Sequence, residues 1–335
     1  MKNTAYNREN GITKKDARKV FSHIGFSLFF YDVAVLLLQS ALVFLVMWGF
    51  ALFGYDNSAA EKFVSSNEFI WTSSIICQFF LGSLVCFILL SLKKPLVKFS
   101  GEKRRFTFKQ TVLMGIVCIA VMQFGSMIST FLSEWVRNLR GAPLENSLSS
   151  LVYESNVFVV ILVCVIIGPI LEELIYRKCV IDRLRPFGEW FAVICSALIF
   201  GLAHGNFLQL FYSVGIGIIF GIIYLKTNNI GICIGYHIFI NFLGGVVPVL
   251  LSRIDTETEA ALLSPANIAL LAYIFLLLLI TFAGILILFA AHKSIRLSAR
   301  RVEGISKIDT IKAFIFNFGM ILLLIITVYS FIMSF

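Results

Sequence analysis

The amino-acid sequence predicts an all-α protein, a polytopic membrane helix bundle of about nine transmembrane helices with its N-terminus inside. Three observations carry this. First, 59% of the 335 residues are hydrophobic, only 14% are charged, and mean hydropathy is +0.92. A soluble globular chain is about 45–50% apolar and about 25% charged, so a water-soluble fold could not hide this much apolar surface. The same excess excludes intrinsic disorder. Second, apolar runs of roughly 20 residues, the length that crosses a bilayer, recur along the chain. Third, the basic residues gather in alternate gaps between those runs.

The elements follow in order. Residues 1–20 are polar and charged, with no short apolar core and cleavage site, so the first span is the expected insertion signal. Apolar runs then cover about 29–54, 69–92, 111–133 and 156–176. Two shorter segments, about 190–207 and 209–225, abut at Gly205-Asn206. If they form a re-entrant or partly surface-lying pair, the count falls to eight. Runs at about 229–251, 267–291 and 313–335 complete the series. The expected organisation is an N-terminal part (1–150), a polar-residue-bearing core (151–250) and two C-terminal spans (251–335).

The net charge of +9 tests this topology. With nine spans and the N-terminus inside, 24 of the 28 Lys and Arg fall in cytoplasmic segments. Only Lys62, Arg137, Arg140 and Arg253 fall outside. Such asymmetry predicts N-in and C-out in a cell membrane. It assigns the basic surplus to topology and anionic lipid rather than to nucleic acid. The seven cysteines lie in or beside apolar runs without a CxxC, which predicts reduced packing residues.

Ionisable groups at membrane depth cost about 2.5–3.5 kcal/mol at a helix centre, so their positions are informative. Glu172 and Glu173 follow an apolar run directly. On a helix they point about 100° apart and do not share one task. Glu173 and Arg177 are i,i+4, which predicts an ion pair and leaves Glu172 to face a cavity. Pro169 removes one helix hydrogen bond just before them and predicts a kink. The plainer reading is a span end with carboxylates among headgroups. His204 follows Phe200 by four residues, and His237 and Asn241 are i,i+4 on one face. Taken singly, each is as readily a packing residue. Gly217 to Gly221 and Gly231 to Gly235 are small-xxx-small patterns that predict close helix packing.

Together, a carboxylate, two imidazoles and a carboxamide in about 70 residues of apolar sequence point to chemistry. A carboxylate beside an imidazole deprotonates a water. An imidazole and a carboxamide donate to an oxyanion. Ser196 and Cys233 are weak candidates as nucleophiles, and no HExxH is present.

Glu172-Glu173-Leu174-Ile175-Tyr176-Arg177, Phe200 through His204 and His237 through Asn241 read EExxxR, FxxxH and HxxxN in order. This ordered triple resembles the signature of the CPBP family, the CAAX-protease and bacteriocin-processing (Abi) intramembrane proteins, over about residues 155–245. The resemblance implies a helical bundle with a cavity open to the cytoplasm and a membrane peptidase. It implies that Glu172 and His204 activate water, that His237 and Asn241 form the oxyanion hole, and that Glu173 and Arg177 support them. It implies a substrate in or anchored to the membrane. Eukaryotic relatives trim prenylated CAAX proteins; bacterial ones are linked to leader-peptide processing, pheromone precursors and bacteriocin immunity. No cofactor is expected, with zinc on Glu172, His204 and His237 as the alternative. A non-catalytic scaffold, regulator or immunity protein on the same fold is the competing function.

One geometric expectation follows. Were the Glu172 span to end near Tyr176, Glu172 would lie roughly 6–8 Å from its inner edge and His204 about 20 Å deep. Either that span ends later, past Tyr176, or the next helix starts outside the hydrocarbon near Arg185; we expect the latter, with a surface turn at Arg183–Gly188.

Overall fold

The structure, a computed structural model, describes residues 12–97, 102–141, 147–253, 264–299 and 301–333. Lys2, Arg8, Lys98 and Arg300 of the charge tally, and Ser334 and Phe335 of the last expected span, lie outside the described residues. The described residues are helical and contain no strand.

Twelve helices follow one another. They are α1 (Lys14–Leu52), α2 (Asn57–Val64), α3 (Asn67–Ser91) and α4 (Phe108–Arg140). Then come α5 (Ser147–Glu154), α6 (Val157–Phe187), α7 (Glu189–Ala203) and α8 (Phe207–Thr227). The last are α9 (Ile230–Ser252), α10 (Pro265–Ala291), α11 (Lys307–Ile315) and α12 (Phe318–Met333). Seven of these are long and apolar enough to cross a membrane, and α11 with α12, bent by 54°, makes an eighth if counted as one span. The protein is a multi-pass membrane protein. The expected ninth span is α7, whose 15 residues rise only about 22 Å against a hydrocarbon core of about 30 Å.

The chain forms two compact units. One comprises the chain up to Leu96, Glu154–Val159 and Glu303–Ile326. Inside it α1 begins with a capping box between Thr13 and Asp16, and Lys14 pairs with Asp309 of α11 at 2.8 Å. Trp71 Nε1 donates to Ser155 Oγ at 2.7 Å.

The other unit, Val97–Tyr153, Val160–Val302 and Thr327–Phe335, holds every candidate site residue. α7 and α8 pack closely within it. A Cβ on Gly217 would lie 2.9 Å from Ala197 Cα, so only glycine lets these backbones approach. Gly201 meets Val214 and Leu210 in the same way. The turn between the two helices passes through Gly205 at φ +63°, and Asn206 then caps α8 by accepting from Gln209 N at 2.8 Å.

α6 corrects the expected offset. It does not end near Tyr176 but runs on to Phe187, which leaves Glu172 with fifteen residues on either side. Glu173 and Arg177 are both fully buried and face each other, so the charges within α6 are accommodated inside the protein. The turn at Arg185–Gly188 is present, but Pro186 and Phe187 are buried rather than on the surface. Nor does Pro169 break α6. It falls in an α-helical turn between two π-helical stretches, Ile161–Ile167 and Glu173–Ile181.

Candidate active site

Three helices supply the site. α6 carries Glu172, Glu173 and Arg177 at mid-length; α7 brings Phe200 and ends at His204; α9 brings His237 and Asn241. Glu172 ends an α-helical stretch and Glu173 begins a π-helical one. Such irregular turns collect at functional sites.

His237 is the hub. Its Nδ1 stands 2.9 Å from Glu173 Oε1, and its Nε2 stands 3.5 Å from Glu172 Oε2. The two carboxylates point apart, as expected, and meet opposite edges of one imidazole. Glu173 is fully buried, and its other oxygen lies 3.1 Å from Arg177 Nε. Glu172 keeps about a third of its side chain exposed (32%). One carboxylate is thus sealed in the protein and the other opens to the space in front of the ring.

Arg177 is fully buried as well. Its guanidinium carbon lies 4.5 Å from the centre of the Phe200 ring and 5.7 Å from that of Phe220. Guanidinium planes stack favourably on aromatic faces where water is excluded. Phe200 also meets His204 edge-to-face at 4.9 Å and His237 at 5.9 Å. A single phenyl ring therefore gathers Arg177, His204 and His237.

His204 Nδ1 stands 2.9 Å from the Phe200 carbonyl oxygen. A carbonyl only accepts, so Nδ1 carries the proton, and in the neutral form of the ring Nε2 is then the lone pair. Glu172 is the chief charged neighbour of this ring. Asn241 Nδ2 donates to the Cys164 carbonyl at 2.9 Å, which ties α9 to α6 one turn from His237. Ser196 Oγ donates to the Tyr176 carbonyl at 2.8 Å, and Cys233 Sγ faces the Phe220 carbonyl at 3.4 Å. Both serve packing between helices.

The donor set of Glu172, His204 and His237 has the right chemistry for zinc. Among the described residues, however, no three His, Cys, Asp or Glu side chains converge as a tetrahedral site requires.

Glu172, Glu173, Arg177, His204 and His237 are linked through His237 and the Phe200 ring, Asn241 instead bonds the Cys164 carbonyl, and the Glu173–Arg177 pair forms. What the sequence reading missed is the hold of Glu173 on His237, 64 residues away, and the part played by Phe200. The FxxxH spacing was the available signal for the latter.

The family description "Type II CAAX prenyl endopeptidase Rce1-like" matches residues 154–243, which contain this whole cluster. Residues 154–243 are thus similar to the CPBP family that the ordered motifs resemble. The chain is 30% identical over 132 residues to the "Putative membrane peptidase YdiL" of Bacillus subtilis (strain 168), covering 39% of this chain and 54% of that protein. It is 35% identical over 83 residues to the "Membrane-embedded CAAX protease MroQ" of Staphylococcus aureus (strain USA300), covering 23% and 34%. The chain thus spans about half the length of the first relative and a third of the second. No solved structure matches it. The CPBP domain coincides with α6 to the middle of α9, the helices that build the site; α1 to α4 and α10 to α12 lie outside it.

Proposed function

We propose that the chain is an intramembrane peptidase that hydrolyses a peptide bond in a membrane-embedded or membrane-anchored substrate. The observation that carries this is the arrangement around His237 inside a CPBP domain: one sealed carboxylate on Nδ1, one open carboxylate before Nε2.

In this reading Glu172 and the free Nε2 of His204 take the proton from a water, which attacks the scissile carbonyl. The tetrahedral oxyanion is met by His237 Nε2–H and the second N–H of Asn241. Donation from Nε2 while Glu173 holds Nδ1–H requires a proton on both ring nitrogens, and the two carboxylates flank that charge. As the intermediate collapses, Glu172 returns the proton taken from water to the leaving amine. Glu173 and Arg177 are positioning residues. The basic bias supports a cytoplasmic N-terminus in a cell membrane. Precursors of secreted peptides, such as a leader peptide or pheromone precursor, are the substrate class that suits such a site.

The test is proteolysis of a membrane-inserted fluorogenic peptide by the purified chain in lipid nanodiscs. Glu172→Ala and His204→Ala are expected to abolish cleavage. Wild-type cleavage by Glu172→Ala would overturn the role given to that carboxylate.

A further inference from the structure

On the face of α9 turned away from His237 the structure opens a groove of about 790 Å³ between α4, α9 and α10. Gly231, Gly235 and Phe239 follow one another at four-residue spacing along this face, about 200° round the helix from His237. All three are exposed. The spacing of Gly231 and Gly235 predicted close helix packing. Here it does the reverse: a Cβ on Gly235 would meet nothing within 4 Å, so the missing side chains hollow out a trough. Val112 and Gly115 of α4 and Ile280 of α10 complete its walls. The volume and apolar lining are those of a ligand site, which spans about 300–1,000 Å³ with a few polar groups placed at one end.

The polar groups are at one end. Arg105 and Asn229 line the mouth, where α4 and α9 both begin. Arg104 N donates to the Thr227 carbonyl at 2.8 Å, which pins the loop carrying Arg105 beside the start of α9. Lys103, Arg104 and Arg105 are exposed there and outnumber Glu102. The positive end of the α9 helix adds to the same field. An apolar trough headed by fixed positive charge matches an amphiphile with an anionic head.

We propose that this groove is a binding site for an anionic phospholipid, one acyl chain lying along Gly231, Gly235 and Phe239 and the phosphate meeting Arg105. The site is separate from the peptidase centre and backs the helix that carries His237 and Asn241. Tyr236, also in its wall, donates its hydroxyl to the Thr111 carbonyl at 2.9 Å, so the lipid would rest against the joint between α9 and α4.

The experiment is native mass spectrometry of the full chain released from nanodiscs of phosphatidylcholine with phosphatidylglycerol. Wild type is expected to retain one phosphatidylglycerol in preference to phosphatidylcholine. One Arg near a membrane surface contributes about fivefold to such a preference, so Arg105→Gln should bring it close to parity. Gly235→Leu, which fills the trough, should remove the retained lipid altogether. Equal retention of the two lipids by wild type, or an unchanged preference in Arg105→Gln, would overturn the proposal. A groove reserved for the lipid anchor of a peptide substrate would retain neither phospholipid, and that result also overturns it. Should Gly235→Leu unfold, Arg105→Gln decides alone, because Arg105 is exposed on a loop.

Discussion

Glu173 Oε1 and His237 Nδ1 stand 2.9 Å apart with neither residue open to solvent. This contact fixes which nitrogen of His237 faces the open carboxylate of Glu172. Altering a carboxylate that orients a metal-bound imidazole costs about 10–100-fold in activity, and a loss of that order is taken for this metal-free contact. Glu173→Gln keeps the volume and loses the charge. It is expected to lower kcat by about that factor while KM changes little, because the residue does not reach the substrate space. Steady-state cleavage in nanodiscs reads both parameters. An unchanged kcat would show that His237 is held by packing on Phe200 and Phe220 alone.

Arg177 is the counter-charge that makes Glu173 tolerable at full burial. Removing one member of a buried ion pair costs about 3–5 kcal/mol, because the other is left uncompensated. Arg177→Met should therefore destabilise the protein by about that amount in detergent unfolding. The double variant Glu173→Gln/Arg177→Met should recover most of the loss, since an amide and a thioether need no counter-ion. Arg177→Lys should fall between, as it keeps the charge and loses the planar stack on Phe200.

The bundle was legible because lipid imposes a simple rule: about 20 apolar residues per crossing. The site residues were legible because each is an expense in that solvent. The extent of α6 was not. Its charges look like a span end when read along the chain, and only the burial of Glu173 against Arg177 removes that stop. The π-helical turns around Glu172 leave no pattern in residue spacing, since they change a hydrogen-bond register and not a face. Gly217 to Gly221 and Gly231 to Gly235 share one spacing but not one environment. Small-xxx-small says that a backbone is bare, not what lies against it. The link from Glu173 to His237 needs the depth of α6 and α9 to match, which no local window contains.

The two glycine pairs give a paired prediction. Gly217→Val drives a branched side chain into Ala197 of α7, and overpacking of this kind costs about 1–3 kcal/mol. It should also shift α7 and with it His204, so cleavage should fall with stability. Gly235→Ala adds a methyl to open space on a helix and should be neutral or stabilising, by up to about 1 kcal/mol. Thermal unfolding in one detergent compares them directly. Equal losses from both would mean that Gly231 to Gly235 also carries a tight helix contact.

Asn241 separates a chemical from a structural role. Its Nδ2 donates to the Cys164 carbonyl at 2.9 Å, and the amide has a second N–H that this bond does not use. If that N–H meets the oxyanion, Asn241→Ala should cost about 10²–10³ in kcat, the usual loss for one oxyanion donor. KM should stay near the wild-type value, because the contact forms only as charge develops. Loss of the Cys164 bond alone would cost about 1 kcal/mol of stability and leave the chemistry largely intact. Single-turnover cleavage and thermal unfolding of the same variant tell the two apart. A lowered unfolding temperature with near wild-type turnover would assign Asn241 to the joint between α6 and α9 and leave the oxyanion to His237.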